Sequence, residues 1–89
     1  MIPGYRVLID LDALDSVPSS GKRREAIFAL ISGLSDHAEL GGDFEVSDPM
    51  TSRPFQVSLI AGYAITWWID HPEIEVKVID IRQVPTNFP

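Results

Sequence analysis

The residue types that hold metals and cofactors form no binding pattern in this sequence. There is no cysteine, and the two histidines, His37 and His71, show no H-x-x-x-H or H-E-x-x-H spacing, so no metal site is expected. Neither G-x-x-x-x-G-K-[ST] nor G-x-G-x-x-G occurs, and Gly41-Gly42 follows a helical stretch instead of opening one. No cofactor is indicated. A G-x-S-x-G elbow is also missing, which leaves acyl transfer without support. Two clusters remain. Lys22-Arg23-Arg24 sets three cations in the first turn of an expected helix, against the positive end of its dipole. Such a run either pairs with Asp12 or Asp15 on a solvated face or contacts an acidic partner or a phosphate. Trp67-Trp68 within a strand presents one indole to each face. If helices cover one face only, Trp68 lies on the other, under the chain's own tail or at an interface.

These residues need elements to position them. Tyr5, Val7 and Ile9 alternate as in a strand, and Leu11, Leu14 and Val17 are spaced by three before Pro18, as in a short helix. Ser19-Ser20-Gly21 can cap a second helix, Arg23 to Ala38, whose apolar residues Ala26, Ile27, Leu30, Ile31, Leu34 and Ala38 recur at steps of three and four. The two form a helical hairpin, with Ile27, Leu30, Ile31 and Leu34 expected against Val7, Val57 and Ile65. Leu40-Gly41-Gly42 stops it, and the period then becomes two. Phe44 and Val46 mark one strand; Phe55, Val57 and Leu59 mark the next, after a turn at residues 48–52. Ala61-Gly62 connects to a strand over 63–69, and residues 70–73 turn into a last strand over 74–82. The alternation slips between Val78 and Ile79, which calls for a bulge or for burial on both faces. The fold class is α+β: an N-terminal strand, a helical hairpin, then a mainly antiparallel four-strand meander with the helices on one face.

Composition bounds the function. Eighty-nine residues suit one domain, 1–89, with 83–89 as an irregular tail. Hydrophobic residues at 45% and charged residues at 22% are globular proportions. No apolar run approaches the roughly 20 residues that span a bilayer, so no membrane partner is expected. The stretch from Met1 to Arg6 has no basic and apolar export pattern, so a cytoplasmic location is the default expectation. A net charge of −6 repels polyphosphates overall and confines any nucleic-acid contact to a local basic site.

The series Tyr5-Arg6-Val7-Leu8-Ile9, Ala13-Leu14 before Val17-Pro18, Arg24 to Leu34 with Ile27 and Ile31, Gly62-Tyr63 before Ile65, and Val76 to Arg82 resembles the RelE/ParE superfamily of bacterial toxins. The resemblance covers nearly the whole chain and rests on element order and apolar spacing. It implies a helical hairpin packed on an antiparallel sheet and a neutralising antitoxin whose extended segment wraps the toxin. It also implies one of two activities, ribosome-dependent cleavage of messenger RNA or poisoning of DNA gyrase. By the same resemblance, Arg53 and Arg82 are candidates to bind the scissile phosphate, and Tyr63 and His71 are the candidate acid or base groups. Ala64 stands where many members carry an arginine, and Phe88 has no hydroxyl where members often have one. Cleavage is therefore expected to be weak or absent. Lys22, Arg23, Arg24 and Trp68 are the candidate partner-binding residues. The reading from another class is a catalytically silent, acidic protein-interaction domain of the same fold, homodimeric through the face bearing Trp68.

Overall fold

Alternation begins the fold: Val7 and Ile9 turn one face of β1 (Arg6–Ile9) inward. The computed structural model describes residues 4–85. After β1, the Asp10 carboxylate accepts the Asp12 N–H at 3.0 Å and caps α1 (Leu11–Leu14). This helix is a single turn, shorter than the expected stretch to Val17. Ser16 and Val17 donate to carbonyls three residues back, a tightening that closes the turn just before Pro18. Ala13 and Val17 are buried, whereas Leu11 is exposed.

α2 (Lys22–His37) starts at Gly21, whose φ of 95° and lack of a side chain leave the helix without a side-chain cap. It runs on into a 3-10 turn, Ala38–Leu40. Ile27, Ile31, Leu34 and Ala38 lie along one stripe and are buried, while Leu30, at its margin, is half-buried. The chain then passes close beside the sheet at Gly42. A Cβ there would lie 2.5 Å from the Val57 carbonyl oxygen, so only glycine fits.

Four strands follow: β2 (Phe44–Ser47), β3 (Pro54–Ile60), β4 (Tyr63–Asp70) and β5 (Glu75–Gln83). Each pairs antiparallel with the next, and β1 lies parallel against β5, giving one five-stranded mixed sheet in the order β1-β5-β4-β3-β2. The architecture is α+β. Val84 and Pro85 follow β5 without strand structure; the rest of the expected tail, with Phe88, lies outside the described residues.

The β3–β4 turn decides which side chains meet the helix. Ala61 and Gly62 have φ of 52° and 82°, as in a type I′ turn, and they pair Ile60 with Tyr63. Period two then puts Ser58 opposite Ile65 and Gln56 opposite Trp67, on the face that packs in one cluster with Ile27, Ile31 and Leu34. Phe55, Val57 and Leu59 consequently point away from the helix. Val57 is buried, but between Phe44 and Thr66 on the far face, which corrects its expected place under the helix. Ala61 holds a left-handed conformation that a Cβ disfavours, and Asn-Gly is the favoured pair in this turn. Ala61→Asn is expected to raise stability by about 0.5–1 kcal/mol, seen as a higher denaturation midpoint with unchanged m.

On β5 the slip in alternation is a bulge. Thr66 pairs with Asp80 and Trp67 with Val78, so Ile79 is the extra residue. Without it, Val76 and Val78 could not share the buried face with Ile81.

Candidate functional site

No described element covers the face of the sheet opposite α2. Across β2, β3 and β4 it is apolar: Phe44 lies against Val57, Val46 against Phe55, and Leu59 against Ala64. Phe44, Val46 and Leu59 remain 48%, 41% and 44% exposed. Toward β5 and β1 the same face becomes ionic. Arg6 grips Glu75 Oε2 through Nε, at 3.0 Å, and through Nη2. Lys77 Nζ donates to Asp70 Oδ2 at 3.0 Å and stands 4.0 Å from Glu75 Oε1. The Lys77 hydrogen bond, aided by the Glu73 N–H and by the Lys77 and Arg53 charges, holds the Asp70 carboxyl below the usual carboxylate range.

Trp68 joins the apolar and ionic halves. It faces Lys77 across the β4–β5 pair, on the uncovered side, while Trp67 is wholly buried and donates its Nε1–H to Ser58 Oγ at 3.0 Å. The Arg53 guanidinium carbon lies 4.0 Å from the centre of the Trp68 ring and Lys77 Nζ 5.1 Å from it. Beside them opens a cleft of about 290 Å³ lined by Arg53, Pro54, Gln56, Trp68, Ile69 and His71. Its Gln56 is already committed, accepting the Gly42 N–H and donating to Glu45 at 2.8 Å.

Three sequence candidates, Arg53, Trp68 and His71, thus come together. The others do not join them. Arg82 pairs with Ala64, four residues from Trp68 along β4, or about 13 Å at 3.3 Å per residue. Its Nε is held by Asp80 Oδ2 at 2.8 Å, which also keeps the guanidinium more firmly protonated. Tyr63 is buried at the far end of β4, on the helix side, within the core cluster. In the basic run, Arg24 donates to the Pro18 carbonyl at 3.0 Å and lies 4.7 Å over the Phe28 ring. Lys22 and Arg23 are exposed and form no ion pair among the described residues, so the expected pairing with Asp12 or Asp15 does not occur.

This arrangement is equipped to bind. RNA cleavage needs a proton acceptor, a proton donor and cations around one phosphate, and the cleft offers one imidazole beside one guanidinium. No cluster of three His, Asp or Glu side chains fit to hold a metal occurs among the described residues, and no described helix is long and apolar enough to cross a membrane. The apolar patch was missed from the sequence, although Phe44 and Val46 carried the signal: two large apolar residues on an edge strand with nothing assigned to cover them. A comparison with protein-family models finds no match to the chain, and a comparison with curated proteins finds none either.

Proposed function

We propose that the chain is the RelE/ParE-like toxin component of a toxin–antitoxin pair, and that it acts by binding its target and not by cutting RNA. The reading is supported by the order strand, helix, four strands, with the first strand parallel beside the last. The observation that carries it is the uncovered sheet face, where Phe44, Val46 and Leu59 stay exposed beside the stacked Arg53 and Trp68. An apolar patch with a charged border is the kind of surface a protein partner covers. The separation of Arg53 from Arg82 and the burial of Tyr63 favour a gyrase-type action over ribosome-dependent cleavage.

The same dispersal favours one other reading, a catalytically silent interaction domain that uses this face, as a homodimer or with another protein. Inducing the chain in a bacterial host, with and without the gene beside its own, separates the two. The toxin reading expects growth arrest that the neighbour relieves, inhibited supercoiling by gyrase, and weak or absent cleavage of ribosome-bound messenger RNA. Growth unaffected by induction would leave the interaction domain. Robust cleavage that survives both Arg53→Ala and Arg82→Ala would place the chemistry elsewhere on the chain.

A further inference from the structure

The sheet divides at one end, and the cleft beside Trp68 fills the division. Pairing of β3 with β4 stops at Gln56 and Trp67. Beyond that point β3 still pairs Pro54 with Ser47 of β2, and β4 still pairs Asp70 with Glu75 of β5. Pro54 accounts for the break. The Arg53 carbonyl accepts the Asp48 N–H at 2.9 Å, so the alternation of an antiparallel ladder turns the Pro54 backbone the other way, toward β4, where it has no N–H to donate. The cleft of about 290 Å³ is lined by Arg53, Pro54 and Gln56 from the β3 side and by Trp68, Ile69 and His71 from the β4 side.

Within this cleft stands a cation whose donors are free. The Arg53 guanidinium rests on the Trp68 ring and makes no ion pair or side-chain hydrogen bond among the described residues. Its position is fixed from behind, because its main-chain N–H also donates to Thr51 Oγ1 at 3.2 Å. Lys77, the other cation at the ring, is held by Asp70, and the Gln56 amide is held by Gly42 and Glu45. Opposite Arg53, the His71 ring stands edge-on to Tyr5 with centroids 6.5 Å apart. Pro54, Trp68 and Ile69 complete an apolar wall. Asp48 and Asp70 lie near enough to feel the Arg53 charge and so balance part of it, and the chain as a whole carries −6. A ligand with one negative charge is matched by this field; further negative charges are repelled.

We propose that the cleft binds a small organic acid, its one carboxylate on the Arg53 guanidinium and its apolar body against Pro54, Trp68 and Ile69. Each demand on the ligand has its own origin. The planar fork of Arg53 suits the two oxygens of a carboxylate, and the apolar wall favours a hydrocarbon body that it can remove from water. The volume lies at the low end for small-molecule sites, which suits a ligand the size of one aromatic ring with its acid group and is too small for a nucleoside triphosphate. Inorganic phosphate would satisfy the cation and leave the apolar wall wet. The inference stands apart from the toxin reading, since it concerns one cleft and requires no partner protein.

The test is a titration of the isotopically labelled full chain with phenylacetate, followed by NMR. Saturable shifts are expected at the Arg53, Ile69 and His71 amides and at the Trp68 indole N–H, with a Kd of about 1 mM for so small a probe. Phenylacetamide, of the same shape without the charge, should bind about tenfold more weakly, the scale of one charge-assisted pair. Phenylacetate should lose the same factor on Arg53→Gln, a change at an exposed position. Arg53→Lys keeps the charge without the fork and should fall between the two. The Trp67 indole N–H, bonded to Ser58 in the core, should keep its shift in both variants and so report an intact fold. The proposal is overturned if the amide binds as well as the acid, if the three proteins rank in any other order, or if the shifts gather at Phe44, Val46 and Leu59. It is overturned equally if inorganic phosphate or adenosine monophosphate binds more tightly than phenylacetate, or if about 20 mM phenylacetate, well above the expected Kd, moves no signal.

Discussion

Replacing Trp67 with alanine is expected to destabilise the domain by about 3–5 kcal/mol, the range for truncating a large buried aromatic. Trp67 is 0% exposed and lies in one cluster with Ile27, Ile31, Ile65 and Val76, so its loss opens a cavity between helix and sheet. The Ser58 hydroxyl, which receives the indole N–H inside the protein, also loses its partner. A domain of this size has roughly 5–15 kcal/mol in total, so Trp67→Ala should lose a large share of its stability. Denaturant unfolding followed by circular dichroism measures this directly. Trp68→Ala is the matched control: its indole is half-buried on the uncovered face, and the variant should stay folded. A shift below about 0.5 kcal/mol for Trp67→Ala, the range of surface substitutions, would mean that the other tryptophan faces the core.

The second large effect is expected at the seam between β1 and β5. Glu75 is buried, with a side chain 8% exposed, and Arg6, 71% exposed, covers one of its oxygens with two donors. Arg6→Ala leaves that carboxylate buried with Lys77 as its remaining cation, 4.0 Å from the other oxygen. The expected cost is about 2–3 kcal/mol, below the 3–5 of a fully buried broken pair because Arg6 itself faces water. Adding Glu75→Val to Arg6→Ala should recover most of the loss, since the penalty lies in the stranded charge and not in the missing contact. Faster amide exchange confined to β1 would locate the effect. An Arg6→Ala variant as stable as the wild type would class the pair with ordinary surface ion pairs.

The main helix was legible in the sequence because Ile27, Ile31 and Leu34 repeat at the period of an α-helix, and the slip between Val78 and Ile79 marked the bulge before any pairing was known. What stayed hidden is what pairing register decides. Phe55, Val57 and Leu59 form an apolar row that reads as a core face. The two-residue turn at Ala61-Gly62 instead aligns Ser58 and Gln56 with Ile65 and Trp67, and the row turns outward. The resemblance grouped Arg53, Arg82, Tyr63 and His71 as one catalytic set, and their chain positions alone give no reason to separate them. Only the pairing of Arg82 with Ala64, and of Lys77 with Trp68, shows that two ends of one strand are involved. Leu30 shows the limit of helical spacing itself: it lies at the border of the apolar stripe and is only half-buried, beside the buried Ile27, Ile31 and Leu34.

The parallel contact between β1 and β5 joins residues 69 positions apart, so the first strand made has no place to dock until the last has been made. At synthesis rates of about 5–20 residues per second, Arg6 waits roughly 3–14 s before Glu75 exists. During that interval β1 remains without the strand it pairs with. The sheet cannot close until β5 has been made, and the slow closure typical of long-range strand pairing then adds to the delay. Anything that binds β1 during that interval meets it unpaired, before any activity that depends on the finished sheet begins.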